Sequence, residues 1–472
     1  MGKYARLGKN TAFVFIGTAG SKVINLLMLP LYTRWLTAQD YGSVDLVSTY
    51  AGLMLGIVSL SIFDSIFIFP KDQPKHIQSE YFSSGIFFWI IGMSLTFVCS
   101  LMGKDIATHY NCRGFIYEWL WYIYALLGIS YIQTLTQQFL RAIDKMIVYS
   151  TTGIVSTLCM IGFSFLLVPR GGVKGYIVAM ISSSLVALIY SIVGGRLWQY
   201  VNLRAISKIA LLDMLKYSIP LIPNGIMWFL ISSLNRPLLE SYWGLGAVGL
   251  FSVAGRFPNL LNTVYLLFQQ AWLISVLEEA KKATYSDFYN KMLKIVVAGQ
   301  CLLAVILALT SKFIIVTFTT PDFYSSWKYI PILVIGVIFM NVATFVGSNF
   351  AINRESKYYF YSTVWSGFSS VILNFTLIPF IGIWGAAISM VISQFICALM
   401  RIKYSWKTVK ITNNRFYVQN IIFLLIGTIF ALCDASLYYC ITAILILAIY
   451  FYYINSKQIS CIIILLKEKY AH

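Results

Sequence analysis

Three basic side chains, Lys22, Arg236 and Arg256, lie inside long apolar stretches of this sequence. At 1.5 Å per residue, Arg256 is about 16 Å from the nearer end of its stretch, close to the middle of a bilayer. A charge at that depth costs about 3 kcal/mol on insertion scales, so it faces a water-filled cavity or a partner. A guanidinium also presents a planar fork of donors that fits phosphate oxygens. The residue types therefore indicate a site for an anionic group.

Two structural interpretations compete with the anion site. Lys22 reaches a depth similar to that of Arg256, and its flexible stem could pair with Asp64, the single carboxylate well inside an apolar stretch. Pro258 leaves backbone carbonyls without donors, and these could hold Arg256. Asp64 could alternatively take up a proton or a sodium ion, so the sequence leaves ion coupling open.

Other polar side chains recur at helical spacing and extend the candidate cavity. Amides inside a helix bundle more commonly bond neighbouring helices. Arginines near the outer end of a span can extend to the interface, which favours a structural role for Arg34 and Arg236. We nevertheless count both among the candidates. The predicted substrate-binding residues are Arg256, Lys22, Arg34, Arg236, Asn25, Asn224, Asn262 and Gln269, and the candidate for ion coupling is Asp64.

The elements that must position these residues are membrane-spanning helices. The chain of 472 residues is 59% hydrophobic and only 11% charged, whereas soluble domains carry about 25% charged residues. Apolar runs of about 18 residues or more, enough to cross a bilayer, recur along the whole chain. The pattern predicts an all-α polytopic membrane protein of fourteen spans, beginning near Thr11, Tyr41, Tyr81, Phe115, Met146, Val173, Leu215, Leu245, Met292, Tyr329, Tyr358, Gly382, Tyr417 and Tyr438.

Basic residues are distributed unequally between the two sets of connections. With the N-terminus inside, 25 Lys and Arg fall on the inner side and seven on the outer side. This bias predicts that both termini are cytoplasmic in an inner-membrane protein. It also accounts for the net charge of +18, so the charge is no evidence for nucleic-acid binding. The eight cysteines form no CxxC pair, and we predict no metal site, no bound cofactor and no enzymatic active site.

An internal repeat organises the chain. VPRGGVKGYIVAMISSS from Val168 aligns with IPFIGIWGAAISMVISQ from Ile378, and six spans separate the copies. An even number of spans gives both halves one orientation, related by an axis along the membrane normal, which is typical of transporters with a site between the halves. The predicted organisation is a six-helix lobe at 1–200, an amphipathic cytoplasmic linker at 201–216, a second six-helix lobe at 217–410, and two further helices with a cytoplasmic tail at 411–472.

Several segments, taken in order, resemble the Wzx-type polysaccharide-unit flippases of the multidrug, oligosaccharidyl-lipid and polysaccharide (MOP) exporter superfamily. They are LPLYTRWLTAQDYGSVDL after the first span, FLRAIDK after the fourth, YSIPLIPNGIMWFLISSLNRPLL in the seventh, GLFSVAGRF and FQQAWLISVLEE in the eighth, and LNFTLIPFIGIWGAAISMVISQ across spans eleven and twelve. The resemblance covers nearly the whole chain.

The resemblance implies a cargo and a mechanism. It implies alternating access that moves undecaprenyl-pyrophosphate-linked oligosaccharide units from the inner to the outer leaflet for O-antigen, capsule or exopolysaccharide synthesis. Its implied partners are the polyprenyl-pyrophosphate-linked oligosaccharide, membrane lipids, and a polysaccharide polymerase with its chain-length regulator. Two alternatives stay open. A cation-coupled multidrug exporter of the same fold would require an acidic cavity, and a membrane polysaccharide polymerase would require a large catalytic loop.

Overall fold

The structure is a computed structural model, and every regular element that it describes is helical. Within hydrocarbon each backbone N–H and C=O needs an internal partner, and helices supply it from their own segment. The prediction of an all-helical polytopic membrane protein is therefore confirmed. The described residues are 20, 24, 26–109, 114–202, 204, 206–280, 282–352, 355–433, 446–447, 449–453 and 455–456.

Thirteen α-helices are delimited within these described ranges. They are α1 Leu29–Trp35, α2 Ala38–Val58, α3 Ile62–Ile68, α4 Lys75–His109, α5 Phe115–Ala142, α6 Met146–Gly195, α7 Lys208–Ser218, α8 Ile222–Ser232, α9 Asn235–Glu279, α10 Tyr285–Phe318, α11 Ile330–Ile352, α12 Ser356–Ser405 and α13 Asn414–Leu432. Short 3₁₀ helices at Leu197–Tyr200, Ile219–Leu221 and Pro321–Tyr329 connect some of them.

Nine helical segments of the described chain are long and apolar enough to cross a membrane. Three of them contain a glycine with non-helical backbone angles, namely Gly172 in α6, Gly244 in α9 and Gly382 in α12. Each of these glycines interrupts its segment, which gives about twelve membrane-crossing helices in the described chain. The first of the fourteen predicted spans, and the last, fall largely outside the described residues.

The internal repeat has a structural counterpart in α6 and α12. Both helices contain 50 residues, and they kink at equivalent glycines: Gly172 has φ 51° and ψ −129°, and Gly382 has φ 56° and ψ −125°. These angles are open to glycine and strained for other residues. Three residues later, a Cβ on Gly175 would lie 2.2 Å from the carbonyl oxygen of Leu167, and one on Gly385 would lie 2.7 Å from that of Leu377. The repeat therefore preserves one backbone geometry.

The chain forms two compact units, Met1–Phe229 and Leu230–His472. The first is built around a buried aromatic and aliphatic cluster that includes Tyr131 and Phe139. In the predicted linker region, the α-helix begins at Lys208, where Ser207 caps its N-terminus. The lobe boundaries predicted from the repeat stay a prediction.

Every second loop between consecutive helices lies at the same end of its unit, where these loops contact one another. In the first unit, Lys75 Nζ donates to Gln199 Oε1 at 3.0 Å, and Lys145 Nζ donates to the Gly195 carbonyl. In the second unit, Asn290 Nδ2 donates to the Lys410 carbonyl at 3.1 Å. The connections that meet are those to which the charge count assigned most of the basic residues.

Helix α2 ends in an irregular turn. Leu60 and Ser61 have φ of 47° and 56°, in the left-handed region. For residues other than glycine this conformation costs about 1–2 kcal/mol each. The turn starts the short helix α3 and sets the position of Asp64, which lies in its first turn.

Candidate functional site

Arg256 lies in the middle of α9 and is half-buried. Its neighbours Ala254 and Phe257 are buried in the second unit, so the helix is firmly packed on that side. A Cβ added to Gly255 would meet no atom within 4 Å. The space beside Gly255 lies about 100° round the helix from Arg256, and the Arg256 side chain itself is engaged by neighbouring groups.

Pro258 does not end α9. The helix continues through it to Glu279, although a proline inside a helix removes one backbone hydrogen bond. Both interpretations of Arg256, as the anion-binding residue and as a partner of backbone carbonyls, stay open after this observation. What the structure adds is the half-buried position of the side chain.

Helical geometry separates Arg256 from the other polar candidates on α9. At about 100° per residue, Asn262 and Gln269 project roughly 220–240° round the helix from Arg256, on the opposite side. Tyr265, between them in sequence, is buried and donates to Gln269 Oε1 at 2.5 Å. Gln269 Nε2 in turn donates to the Thr344 carbonyl of α11 at 3.5 Å. Gln269 therefore joins two helices of the second unit, the commoner use of a buried amide.

Arg236 is held by its own surroundings at the start of α9. Its Nη1 donates to the Ser232 carbonyl at 2.9 Å, and the guanidinium lies 5.7 Å from the centroid of the Phe251 ring. A backbone carbonyl and an aromatic face are both favourable to a guanidinium. These contacts favour a structural role for Arg236.

The candidates in the first unit occupy separate elements. Arg34 is exposed in the last turn of α1, and Asp64 is exposed in α3. Asn224 is half-buried in α8, and its Oδ1 is buried without a hydrogen-bond partner. Lys22 and Asn25 lie outside the described residues, so their proposed roles, including a Lys22–Asp64 pair, stay predictions.

Arg401 is a buried cation that the sequence analysis assigned to a cytoplasmic loop. It is fully buried in α12. Its Nε donates to Ser362 Oγ at 3.0 Å, its Nη1 to the Ala343 carbonyl at 3.0 Å and its Nη2 to Thr363 Oγ1 at 3.3 Å. The Tyr359 ring centroid is 3.8 Å away. Arg401 thus joins α11 to both arms of α12, with every guanidinium nitrogen bonded.

The repeat contains the signal that would have placed Arg401 correctly. Counted from the kink glycines, Arg401 is equivalent to Ser191, well inside a predicted span. Ser191 is buried and forms a 3.0 Å hydrogen bond with Thr152, the equivalent of Ser362. The same helix-to-helix contact therefore exists in both units, with a hydroxyl pair in one and an arginine in the other.

Small polar side chains on the first arm of α12 bond to the second arm, to α8 and to one another. Ser366 Oγ donates to the Ser393 carbonyl at 2.7 Å, Ser370 Oγ donates to the Leu230 carbonyl at 3.0 Å, and Asn374 Nδ2 donates to Ser370 Oγ at 3.1 Å. Hydrogen bonds of this kind tie helices together in hydrocarbon. Within the described residues, no group of three or more His, Cys, Asp or Glu residues has the arrangement of a metal site.

Comparison with known sequences adds a family to this geometry. Residues 7–281, more than half of the chain, match the family described as polysaccharide biosynthesis protein. The capsular polysaccharide biosynthesis protein CapF of Staphylococcus aureus is 25% identical over 200 residues, which cover 41% of this chain and 49% of that relative. The chain thus spans about half the length of the curated relative that it matches.

Comparison with solved structures identifies the fold. Lipid II flippase MurJ, in an inward closed conformation, aligns with a TM-score of 0.74 at 15% identity, over 95% of this chain and 99% of that chain. A multidrug resistance MATE family transporter of the MOP superfamily, in an inward-facing conformation, aligns with a TM-score of 0.61 at 16% identity, over 82% and 94% of the two chains. At these identities the likeness shows the fold alone.

Proposed function

Because this chain belongs to the family described as polysaccharide biosynthesis protein, we propose that it is a flippase for lipid-linked oligosaccharides. It would move undecaprenyl-pyrophosphate-linked repeat units from the inner to the outer leaflet of the cytoplasmic membrane by alternating access. One observation carries the proposal: the chain belongs to a polysaccharide biosynthesis family, and its fold resembles that of lipid II flippase MurJ. The units would serve O-antigen, capsule or exopolysaccharide assembly, beside a polymerase and a chain-length regulator.

The proposed contact with cargo is between Arg256 and the pyrophosphate. A half-buried guanidinium can offer two parallel N–H donors to phosphate oxygens. Lys22, predicted at a similar depth in the first lobe, would supply a second positive charge. Arg34, Asn25, Asn224 and Asn262 are the further candidates for contact with the phosphates or the sugar hydroxyls.

Asp64 is the candidate for coupling transport to a cation gradient. It is an exposed carboxylate that follows the irregular turn at Leu60 and Ser61. In the part of the first unit that the structure describes, no basic side chain lies within ion-pair distance of it. A carboxylate placed at a break between helices can bind a proton or a sodium ion in one conformation and release it in the other.

A cation-coupled multidrug exporter is the second candidate, because MATE transporters share the fold. Such an exporter would require negative charge in its cavity to bind cationic drugs. The predicted midplane charges of this chain, Lys22 and Arg256, are positive, which favours an anionic cargo. A membrane polysaccharide polymerase would need a large catalytic loop, which the short connections of the sequence do not provide.

Depletion of the protein in its native cell distinguishes these candidates. Labelled lipid-linked oligosaccharide is expected to accumulate on the cytoplasmic leaflet when the flippase is depleted, while dye efflux stays normal. Altered dye efflux with unchanged lipid intermediates would overturn the proposal in favour of a drug exporter. Oligosaccharides that reach the outer leaflet but stay unpolymerised would indicate a polymerase.

A further inference from the structure

The second unit contains an apolar groove. Helices α10, α11, α12 and α13 enclose a cavity of about 400 Å³, a size typical of small-molecule sites. Its lining is aliphatic and aromatic, with Leu293 and Val297 on α10, Val342 on α11, Leu399 on α12 and Leu424 on α13. All of these residues lie within a single unit, so the groove does not depend on how the two units are arranged.

Exposed apolar side chains border the mouth of the groove. Leu399, Trp406 and Val418 line it and are each about half exposed. Exposed aliphatic side chains on a membrane-crossing helix face acyl chains. Tryptophan prefers the boundary between hydrocarbon and headgroups, so Trp406 indicates that this end of the groove is at headgroup level.

Positive charge borders the same end. The segment 402–418 contributes lining residues and carries four basic residues and no acidic one. Lys407 is already engaged, since its Nζ donates to the Tyr358 hydroxyl at 3.0 Å. Lys410 and Arg415 are exposed and follow or precede lining residues directly. Short connections rich in lysine and arginine face the cytoplasm, and basic pockets between helices on that side bind anionic lipid headgroups.

We propose that the groove is a binding site for an anionic phospholipid of the cytoplasmic leaflet. One acyl chain would fill the apolar groove, and the phosphate would lie between Lys410 and Arg415. The site would be separate from the cargo site at Arg256, and the proposal does not rest on flippase activity. Charge at one end and an apolar cavity at the other are the two features that an anionic phospholipid combines.

Native mass spectrometry of the detergent-purified full-length protein tests this site. We expect phosphatidylglycerol to bind more tightly than phosphatidylcholine with the same acyl chains. Lys410→Gln with Arg415→Gln should weaken phosphatidylglycerol binding about 25-fold, at about fivefold for each basic residue near a membrane surface. Leu399→Trp should weaken both lipids, because the larger ring fills the mouth of the groove.

Matched variants control for charge and bulk. Lys312→Gln with Lys328→Gln removes the same charge elsewhere in the second unit, and Leu425→Trp adds the same ring to an exposed site on α13 outside the groove. Neither should change lipid binding. Unchanged phosphatidylglycerol binding in the two groove variants would overturn the proposal. So would displacement of the lipid by undecaprenyl pyrophosphate at equal concentration, because the groove would then belong to the cargo.

Discussion

Two arginines in apolar helices of the second unit, Arg401 and Arg256, differ in how deeply their side chains are buried. Arg401 is fully buried, and a hydroxyl, a carbonyl, a second hydroxyl and an aromatic face surround its guanidinium. Arg256 is half-buried in the middle of α9. A fully buried guanidinium holds helices together, whereas a half-buried one keeps exposed surface that a ligand can reach. We therefore assign Arg401 to the scaffold and propose Arg256 for cargo.

Replacement of Arg256 tests its role in export. Loss of hydrogen bonds to a charged group costs about 1.5–3 kcal/mol, so Arg256→Ala should lower export about tenfold or more. Arg256→Lys keeps the charge without the planar fork and should retain part of the activity. The measurement is surface polysaccharide at matched expression, with Arg236→Ala as the control, because the Arg236 guanidinium is bonded to the Ser232 carbonyl. Full export by Arg256→Ala would return this residue to a structural role.

Replacement of Arg401 should instead lower stability. Arg401→Ala removes three buried hydrogen bonds, to Ser362, Thr363 and the Ala343 carbonyl, and hydrogen bonds to a charged group contribute about 1.5–3 kcal/mol each. We expect a clearly lower melting temperature in detergent. The control is Lys403→Ala, two residues along α12 and exposed, which should change stability by less than about 0.5 kcal/mol. Equal melting temperatures for the two variants would contradict the assignment.

At the scale of elements, the kinks of α6 and α12 define the repeat. Gly172 and Gly382 adopt almost the same angles, but their surroundings differ. A Cβ on Gly172 would meet no atom within 4 Å, whereas one on Gly382 would lie 2.8 Å from the Trp243 ring. That ring is fixed, because its Nε1 donates to the Ile378 carbonyl at 2.8 Å.

Alanine at the two kinks should therefore have graded effects. Gly172→Ala adds backbone strain of about 1–3 kcal/mol, and Gly382→Ala adds the collision with Trp243 to a similar strain. Gly162→Ala, inside α6 and with no atom within 4 Å of its Cβ, is the matched control and should change stability by at most about 1 kcal/mol. Thermal unfolding in detergent ranks the stabilities of the three variants. A loss of stability in Gly162→Ala equal to that in Gly382→Ala would contradict the predicted ranking.

Much of the architecture could be predicted from the sequence. Apolar length placed the starts of α5 at Phe115 and of α6 at Met146, since hydrocarbon demands long uninterrupted helices. The repeat aligned Gly172 with Gly382, but the kinks at these glycines were visible only in the structure. Hydropathy averages over all sides of a helix, however, so it could not show that Gln269 faces α11, away from Arg256. The same averaging assigned Arg401, at the end of an apolar run, to a loop.

At the scale of the whole molecule, connections rich in basic residues meet at one end of each unit. The positive-inside rule predicts that this end is cytoplasmic. Lys328 precedes α11 and Lys357 follows it, so a single crossing separates them. In a background without native cysteines, Lys328→Cys should react with a membrane-impermeant thiol reagent in intact cells, and Lys357→Cys should react only after lysis. The reverse pattern would contradict the predicted orientation.

The central claim, that the molecule moves lipid-linked oligosaccharides between leaflets, is tested most directly by reconstitution. Purified protein in sealed vesicles would be supplied with fluorescent undecaprenyl-pyrophosphate-linked oligosaccharide confined to one leaflet, with an imposed proton or sodium gradient. If the proposal is right, an enzyme added outside gains access to the oligosaccharide only when the protein is present, and much more slowly with Arg256→Ala. Transfer no faster than in protein-free vesicles, under either gradient, would contradict it.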